Sequence, residues 1–283
     1  MSTGVGIHDN RTCELGEGPL WHPLRGQLFW FDIIGKRLMT RDGDAPREWQ
    51  FREHVSAAGW VDQETLLIAS ETALLRFDLT TGASEPLIAL EADDPRTRSN
   101  DGRADPWGGF WIGTMGKKAE PKLGAIYRFY QGELRQLFAP ITISNAICFA
   151  PDQSCAYFTD TLTQKVMRQT LDEEGWPIRD PDVLIDLRAG GLFPDGAVVD
   201  HEGCLWVAQW GASRVARYSS DGEFLSAISL PASQITCPSF GGPGLQTLFV
   251  TSAGHGVDEV QGGQTFIVDA PVRGQAEHQV IVN

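Results

Sequence analysis

One short phrase recurs six times along this chain and leaves it few architectures to adopt. An apolar, β-prone run appears as Leu28-Phe29-Trp30-Phe31, Leu66-Leu67-Ile68-Ala69, Phe110-Trp111-Ile112-Gly113, Ala156-Tyr157-Phe158-Thr159, Leu205-Trp206-Val207-Ala208 and Leu248-Phe249-Val250-Thr251. Successive starts lie 38, 44, 46, 49 and 43 residues apart. Each run follows a turn rich in Gly, Asp, Pro or Gln. Each precedes a segment of alternating character, such as Ala73-Leu74-Leu75-Arg76-Phe77 or Arg214-Val215-Ala216-Arg217-Tyr218. A repeat of roughly 40 to 50 residues carrying several short strands is the mark of a β-propeller. The expectation is an all-β, six-bladed β-propeller spanning residues 1–283 as one domain, with a metal site in its central channel. Outer strands are expected near 48–51, 85–90, 133–138, 183–187, 225–230 and 278–282. The segment 7–15 is expected to pair with the last blade and so protect the ring's edge strands.

Composition narrows the partners. The net charge is −14, with acids spread along the chain, and neither nucleic acid nor an anionic membrane is a fitting partner without a basic face. The five cysteines, Cys13, Cys148, Cys155, Cys204 and Cys237, are odd in number and form no Cys-x-x-Cys pair. No charged-then-apolar leader opens the sequence, and no apolar run approaches the roughly 18 residues of a spanning helix. These features point to a cytoplasmic protein with reduced thiols. Nothing in the sequence speaks to oligomeric state.

The chemistry-bearing residues sit at one phase of the repeat. About ten residues before each core run the chain reads Gly16-Glu17-Gly18-Pro19, Ser56-Ala57-Ala58-Gly59, Asn100-Asp101-Gly102, Ser144-Asn145-Ala146, Pro194-Asp195-Gly196 and Thr236-Cys237-Pro238. Singly, Asn-Asp-Gly and Pro-Asp-Gly are ordinary turns. Sharing a phase, Glu17, Asn145, Asp195 and Asn100 or Asp101 converge on the axis of a ring. An oxygen-only cluster of crowded carboxylates asks for a cation between them. Hard divalent ions such as Ca²⁺, Mg²⁺ or Mn²⁺ suit it, with Zn²⁺ or Fe²⁺ left open. There is no Gly-x-Ser-x-Gly elbow, no phosphate-cradling glycine loop and no His-Glu-x-x-His pair. Asp32, Asp78 and Asp160 follow strands and read as caps. Trp176 and Trp210 read first as packing residues and second as sugar-stacking ones, and His255 is a candidate for the channel mouth.

The ordered set Leu15-Gly16-Glu17-Gly18-Pro19-Leu20-Trp21, Arg98-Ser99-Asn100-Asp101-Gly102, Gly113-Thr114-Met115, Ile143-Ser144-Asn145-Ala146, Pro194-Asp195-Gly196, Leu205-Trp206-Val207-Ala208 and Cys237-Pro238-Ser239-Phe240-Gly241-Gly242 resembles the senescence marker protein/gluconolactonase (regucalcin) family. The resemblance runs through residues 14–256. It implies a six-bladed propeller with one divalent cation on the axis and, in most members, hydrolysis of sugar lactones. It also implies that Glu17, Asn145 and Asp195 ligate the metal and that Arg98 and Asn100 hold substrate, with Asp101 beside them. Glu120, in the variable loop 116–123, matches a lid-loop acid. The sequence departs from the family at Ala146, where a glycine usually follows the Asn ligand.

From that resemblance the reaction is metal-dependent opening of an aldonolactone to the aldonic acid, with the cation polarising the ester. Either Asp195 takes the proton of the attacking water or the cation alone activates it. Two alternatives stand beside it: a hydrolase of organophosphates or other esters on the same scaffold, and a non-enzymatic cation-binding regulatory protein, as the name regucalcin implies. The choice of sugar is expected to lie in mouth loops 49–56, 116–123 and 254–263.

Overall fold

The computed structural model describes residues 4–282. Its strands form six four-stranded antiparallel sheets. Each recurring run lies within the second strand of one sheet: Gln27–Asp32, Thr65–Ser70, Phe110–Gly116, Cys155–Asp160, Leu205–Trp210 and Thr247–Ser252. These runs are apolar because both faces of the strand are covered by neighbouring sheets. Trp30, Trp111 and Trp206 expose no surface at all. The sheets are therefore blades of a six-bladed β-propeller, and the core lies between them. Phe29 and Phe31 of the first blade pack on Leu66, Ile68 and Phe77 of the second. Trp206 of the fifth meets Phe240, Leu248 and Phe266 of the sixth. Cys13, Trp30 and Met39 of the first meet Phe249 of the sixth, which completes the circle. Burial of one such side chain contributes about 1.5–3 kcal/mol, so contacts between blades carry the ring.

The N-terminal strand Val5–Asp9 closes it, pairing antiparallel with Thr265–Asp269 so that Val5 lies opposite Val268 and Ile7 opposite Phe266. This corrects one expectation: residues 278–282 are not the outer strand of the last blade. That edge is already occupied by the N-terminal strand, and the tail's own backbone groups are spent elsewhere. The Val280 N–H donates to Trp60 O at 2.9 Å and the Ile281 N–H to Gly108 O at 2.8 Å. The Trp60 indole N–H donates to Glu277 O at 3.0 Å. Val280 is fully buried among residues of the second and third blades.

The innermost strands are Gly16–His22, Val55–Trp60, Thr97–Ala104, Ser144–Phe149, Phe193–Val199 and Ile235–Gly241. Their first residues gather at one end of the axis and their last residues at the other, where the tail crosses. Among the described residues only three short 3₁₀ turns interrupt the strands and loops, and no helix is long and apolar enough to cross a membrane. All five thiols are free, four of them buried. Asp32, Asp78 and Asp160 act as the caps expected of them, accepting backbone N–H groups of Leu15 and Gly35, of Thr80 and Thr81, and of Thr142, Ile143 and Leu162 respectively.

Candidate active site

Every innermost strand is broken by a bulge near its start, where its pairing with the second strand slips. A bulge turns a side chain out of the regular alternation and re-aims it. In the first blade the slip follows Glu17, in the fourth it follows Asn145, and in the fifth it includes Asp195. In the first and fourth blades the bulge holds a residue in the left-handed region. Gly18 takes φ +53°, and a Cβ there would sit 2.2 Å from Ser56 O, so glycine alone is accommodated. At Ala146 the chain adopts φ +56° with a methyl in place. The departure from the family pattern thus stores local strain of about 1–2 kcal/mol beside the hub.

The bulges bring Glu17, Asn145 and Asp195 together at the floor of a cavity of about 360 Å³, with Arg98, Asn100 and Thr161 around them. A hydrogen-bonded lattice fixes this floor. Asn145 donates through Nδ2 to Thr161 Oγ1 at 2.9 Å, and Thr161 donates to Pro194 O at 2.8 Å. Asn100 Nδ2 donates to Ser144 O at 2.8 Å and to Asn145 Oδ1 at 3.0 Å. Arg98 Nη1 donates to Asn100 Oδ1 at 2.7 Å and to Ser99 O at 2.8 Å. The Asn145 amide is therefore held with its oxygen toward the hub, and Glu17 Oε2 accepts the Gly18 N–H at 2.8 Å.

The electrostatics of this floor are unbalanced. Burial, with the charge of Asp101 added to it, pushes Glu17 up to about 8. Burial and then the charge of Glu17 push Asp195 well above the usual carboxylate range. Burial pulls the Arg98 guanidinium down to about 10 against the attraction of both acids. Two buried carboxyl groups facing an amide oxygen are costly as bare anions, and a hard divalent cation relieves that cost while accepting only oxygen ligands. No His or Cys lines the cavity among the described residues. The donor set thus fits a hard divalent cation, and Glu17, Asn145 and Asp195 are the residues able to hold it. Elsewhere Asp200, Glu202 and Cys204 also cluster, but Arg217 already spans the two acids at 2.8 and 2.6 Å.

Other sequence candidates lie apart. Asp101 is buried behind the floor, accepts the Ile147 N–H at 2.7 Å and does not reach the cavity. Burial pushes its carboxyl up to about 6. Glu120 lies outside the cavity and accepts the Lys118 N–H at 2.9 Å. His255 is exposed beside Glu14. Trp176 stacks over Arg128, whereas Trp210 faces the cavity. The walls were not foreseen: Leu15, Met115, Ile143, Leu162 and Phe193 join Trp210 above the floor. Thr161 was missed as well, although its place just after the Asp160 cap, in the turn next to a core strand, is a usable signal.

Fold and hub together define a class: a six-bladed propeller with a buried oxygen-donor cluster beneath a cavity of small-molecule size. The chain belongs to the SMP-30/gluconolactonase/LRE-like family, whose sequence profile matches residues 15–254. A putative sugar lactone lactonase of Rhizobium meliloti is 39% identical over 93% of this chain and 92% of its own length. A 6-deoxy-6-sulfogluconolactonase of Pseudomonas putida is 35% identical over 84% of this chain and 83% of its own. The crystal structure of a calcium-binding protein, regucalcin, from Agrobacterium tumefaciens is 37% identical. It superposes with a TM-score of 0.96 over 99% of this chain and 98% of that one.

Proposed function

We propose that the protein hydrolyses a sugar lactone to the open acid with the help of one divalent cation held by Glu17, Asn145 and Asp195. That it is an ester hydrolase of the lactonase kind rests on its lactonase relatives. The cation and the residue roles rest on one observation: two buried carboxyl groups and an oriented amide oxygen meet under a cavity large enough for a small ring. At about 360 Å³ the cavity lies at the small end of ligand sites.

A bound divalent cation supplies Lewis acidity here, polarising the ester and acidifying water. Arg98 keeps Nε and Nη2 free of protein partners among the described residues, and these donate to the oxygen on which negative charge grows. Asn100, pinned by three hydrogen bonds, holds Arg98 and Asn145 in place. Asp195 accepts the proton lost by the attacking water. It returns that proton to the ring oxygen as the ring C–O bond breaks, giving a carboxylic acid and a hydroxyl on one chain. Burial strengthens Asp195 as a base while cation contact weakens it, which keeps its proton exchangeable in both directions.

The test is hydrolysis of D-glucono-1,5-lactone and L-arabinono-1,4-lactone, followed at constant pH after chelation and re-addition of single divalent ions. Chelation abolishes turnover, and Asp195→Asn lowers the rate by about 10²–10⁴-fold. Undiminished turnover by the Asp195→Asn protein overturns the assignment.

A further inference from the structure

The cavity above the hub is polar only at its floor. Its walls come from four blades: Leu15 from the first, Met115 from the third, Ile143 and Leu162 from the fourth, Phe193 and Trp210 from the fifth. Phe193 and Trp210 are directly opposed partners on adjacent strands, so one side of the cavity is a continuous aromatic surface. Leu162 stands 51% exposed on the 3₁₀ turn Thr161–Thr163, and Phe193 is 37% exposed at the start of its strand. These apolar side chains rim the mouth, where their contact with water is a cost that a bound apolar group relieves.

The floor's hydrogen-bonding capacity is largely consumed by its own lattice. The Asn100 amide donates twice and accepts once, Asn145 donates to Thr161, and Thr161 donates to a backbone carbonyl. Beyond the carboxylates, Arg98 Nε and Nη2 and the second Asn145 Nδ2 hydrogen remain to address a ligand, all of them at the floor. A sugar ring stacked on one tryptophan still sends hydroxyls out around its rim, and each needs a partner. Above the floor the lining is Leu15, Met115, Ile143, Leu162, Phe193 and Trp210, which between them offer one side-chain N–H, and a buried hydroxyl without a partner costs about 1–3 kcal/mol.

We infer that the substrate is a lactone whose half distal to the ester is deoxygenated, carrying a methyl or alkyl group where a common aldonolactone carries a hydroxymethyl. This rests on the lactonase reading and deepens it. The ester end seats on Arg98 and the hub. The C–H-rich end contacts Leu162, Phe193 and Trp210 and removes their exposed surface from water.

The experiment compares two lactones that differ only in that hydroxyl, L-rhamnono-1,4-lactone and L-mannono-1,4-lactone, with unsubstituted δ-valerolactone as control. The expected result is a kcat/KM about 10–100-fold higher for the deoxy lactone, the range over which an apolar pocket discriminates. In Leu162→Asn and Phe193→Ser, both at exposed positions, that ratio falls toward unity through KM while the thermal midpoint holds. Equal or better use of the mannono-lactone by the unaltered protein overturns the inference and leaves the lactonase reading standing. Failure to open any of the three lactones overturns this inference, and failure on the glucono- and arabinono-lactones as well overturns the lactonase reading.

Discussion

Both ends of the propeller's channel bury acidic groups, and they are neutralised in opposite ways. At the far end Glu277, carried by the C-terminal tail, pairs with Arg103 of the third blade. That guanidinium also donates to Ile147 O at 3.2 Å and Ala197 O at 3.4 Å. The Glu277 and Arg103 charges there are partners of opposite sign. At the open end Glu17 and Asp195 face each other, and the one nearby guanidinium, Arg98, is tied through Nη1 to Asn100 and Ser99. The far end is a completed structure. The open end is a crowding of carboxyl groups without a pairing cation of its own, relieved by protonation or by a ligand, and that difference separates a site from a scaffold more clearly than acidity does.

Removing an acid from each end is the sharpest way to break this comparison. Glu277→Ala leaves Arg103 buried without its partner, and denaturant unfolding should show a loss of about 3–5 kcal/mol. Glu17→Gln keeps an oxygen for the Gly18 N–H but removes a crowded charge. In chelator at pH 8 it should raise stability by a few kcal/mol, since each pKa unit of strain corresponds to about 1.4 kcal/mol and Glu17 is raised from 4.5 to about 8. Losses of similar size at both ends would erase the distinction.

Acidity gives the next largest effect, with opposite signs. Glu17 has a folded-state pKa of about 8 against 4.5 in the unfolded chain. Its contribution is complete below pH 4.5 and is lost as pH rises through 8. His278, beside Glu277, is held by burial below its usual 6.5 and accepts a hydrogen bond from the Gln275 amide at 2.8 Å. Its contribution is present above pH 6.5 and declines as pH falls. Thermal midpoints of the chelated protein should therefore drop on the alkaline side. A divalent cation should flatten that drop, and His278→Leu should flatten only the acid side. An alkaline drop that survives saturating Ca²⁺, Mg²⁺ and Mn²⁺ would count against a cation at the hub.

The smallest effect tests the backbone of the open end. Ala146→Gly relieves the left-handed strain at φ +56° but gives up a buried methyl. A net gain of about 0.5 kcal/mol is expected from a conformational relief of about 1–2 kcal/mol set against added chain entropy of about 0.5–1 kcal/mol. A loss on chemical denaturation would mean that methyl packing outweighs strain.

What the sequence made legible followed from repetition. The six core runs all fall in second strands because a strand covered on both faces must be apolar in every blade. Glu17, Asn145 and Asp195 could be grouped because their bulges recur at one phase. Asp101 shares that phase yet turns to the Ile147 N–H, since successive residues in a bulge are aimed differently and spacing alone does not say which faces the axis. The tail misled because its segment resembles a strand, and only the N-terminal strand's prior claim on the last edge excludes it. Leu162 and Phe193 were invisible for another reason: they sit on a turn and at a strand start, where no periodicity marks a side chain as lining a cavity.

The tail's course has a kinetic consequence. With Glu277 paired to Arg103 and the 275–278 segment lying across the far end of the axis, reactant and product share the open end. An opened sugar acid is an anion leaving a body of net charge −14, so its departure is electrostatically favoured. Until it has gone, the next ring cannot arrive, and the acid must act as a competitive inhibitor of the lactone that forms it.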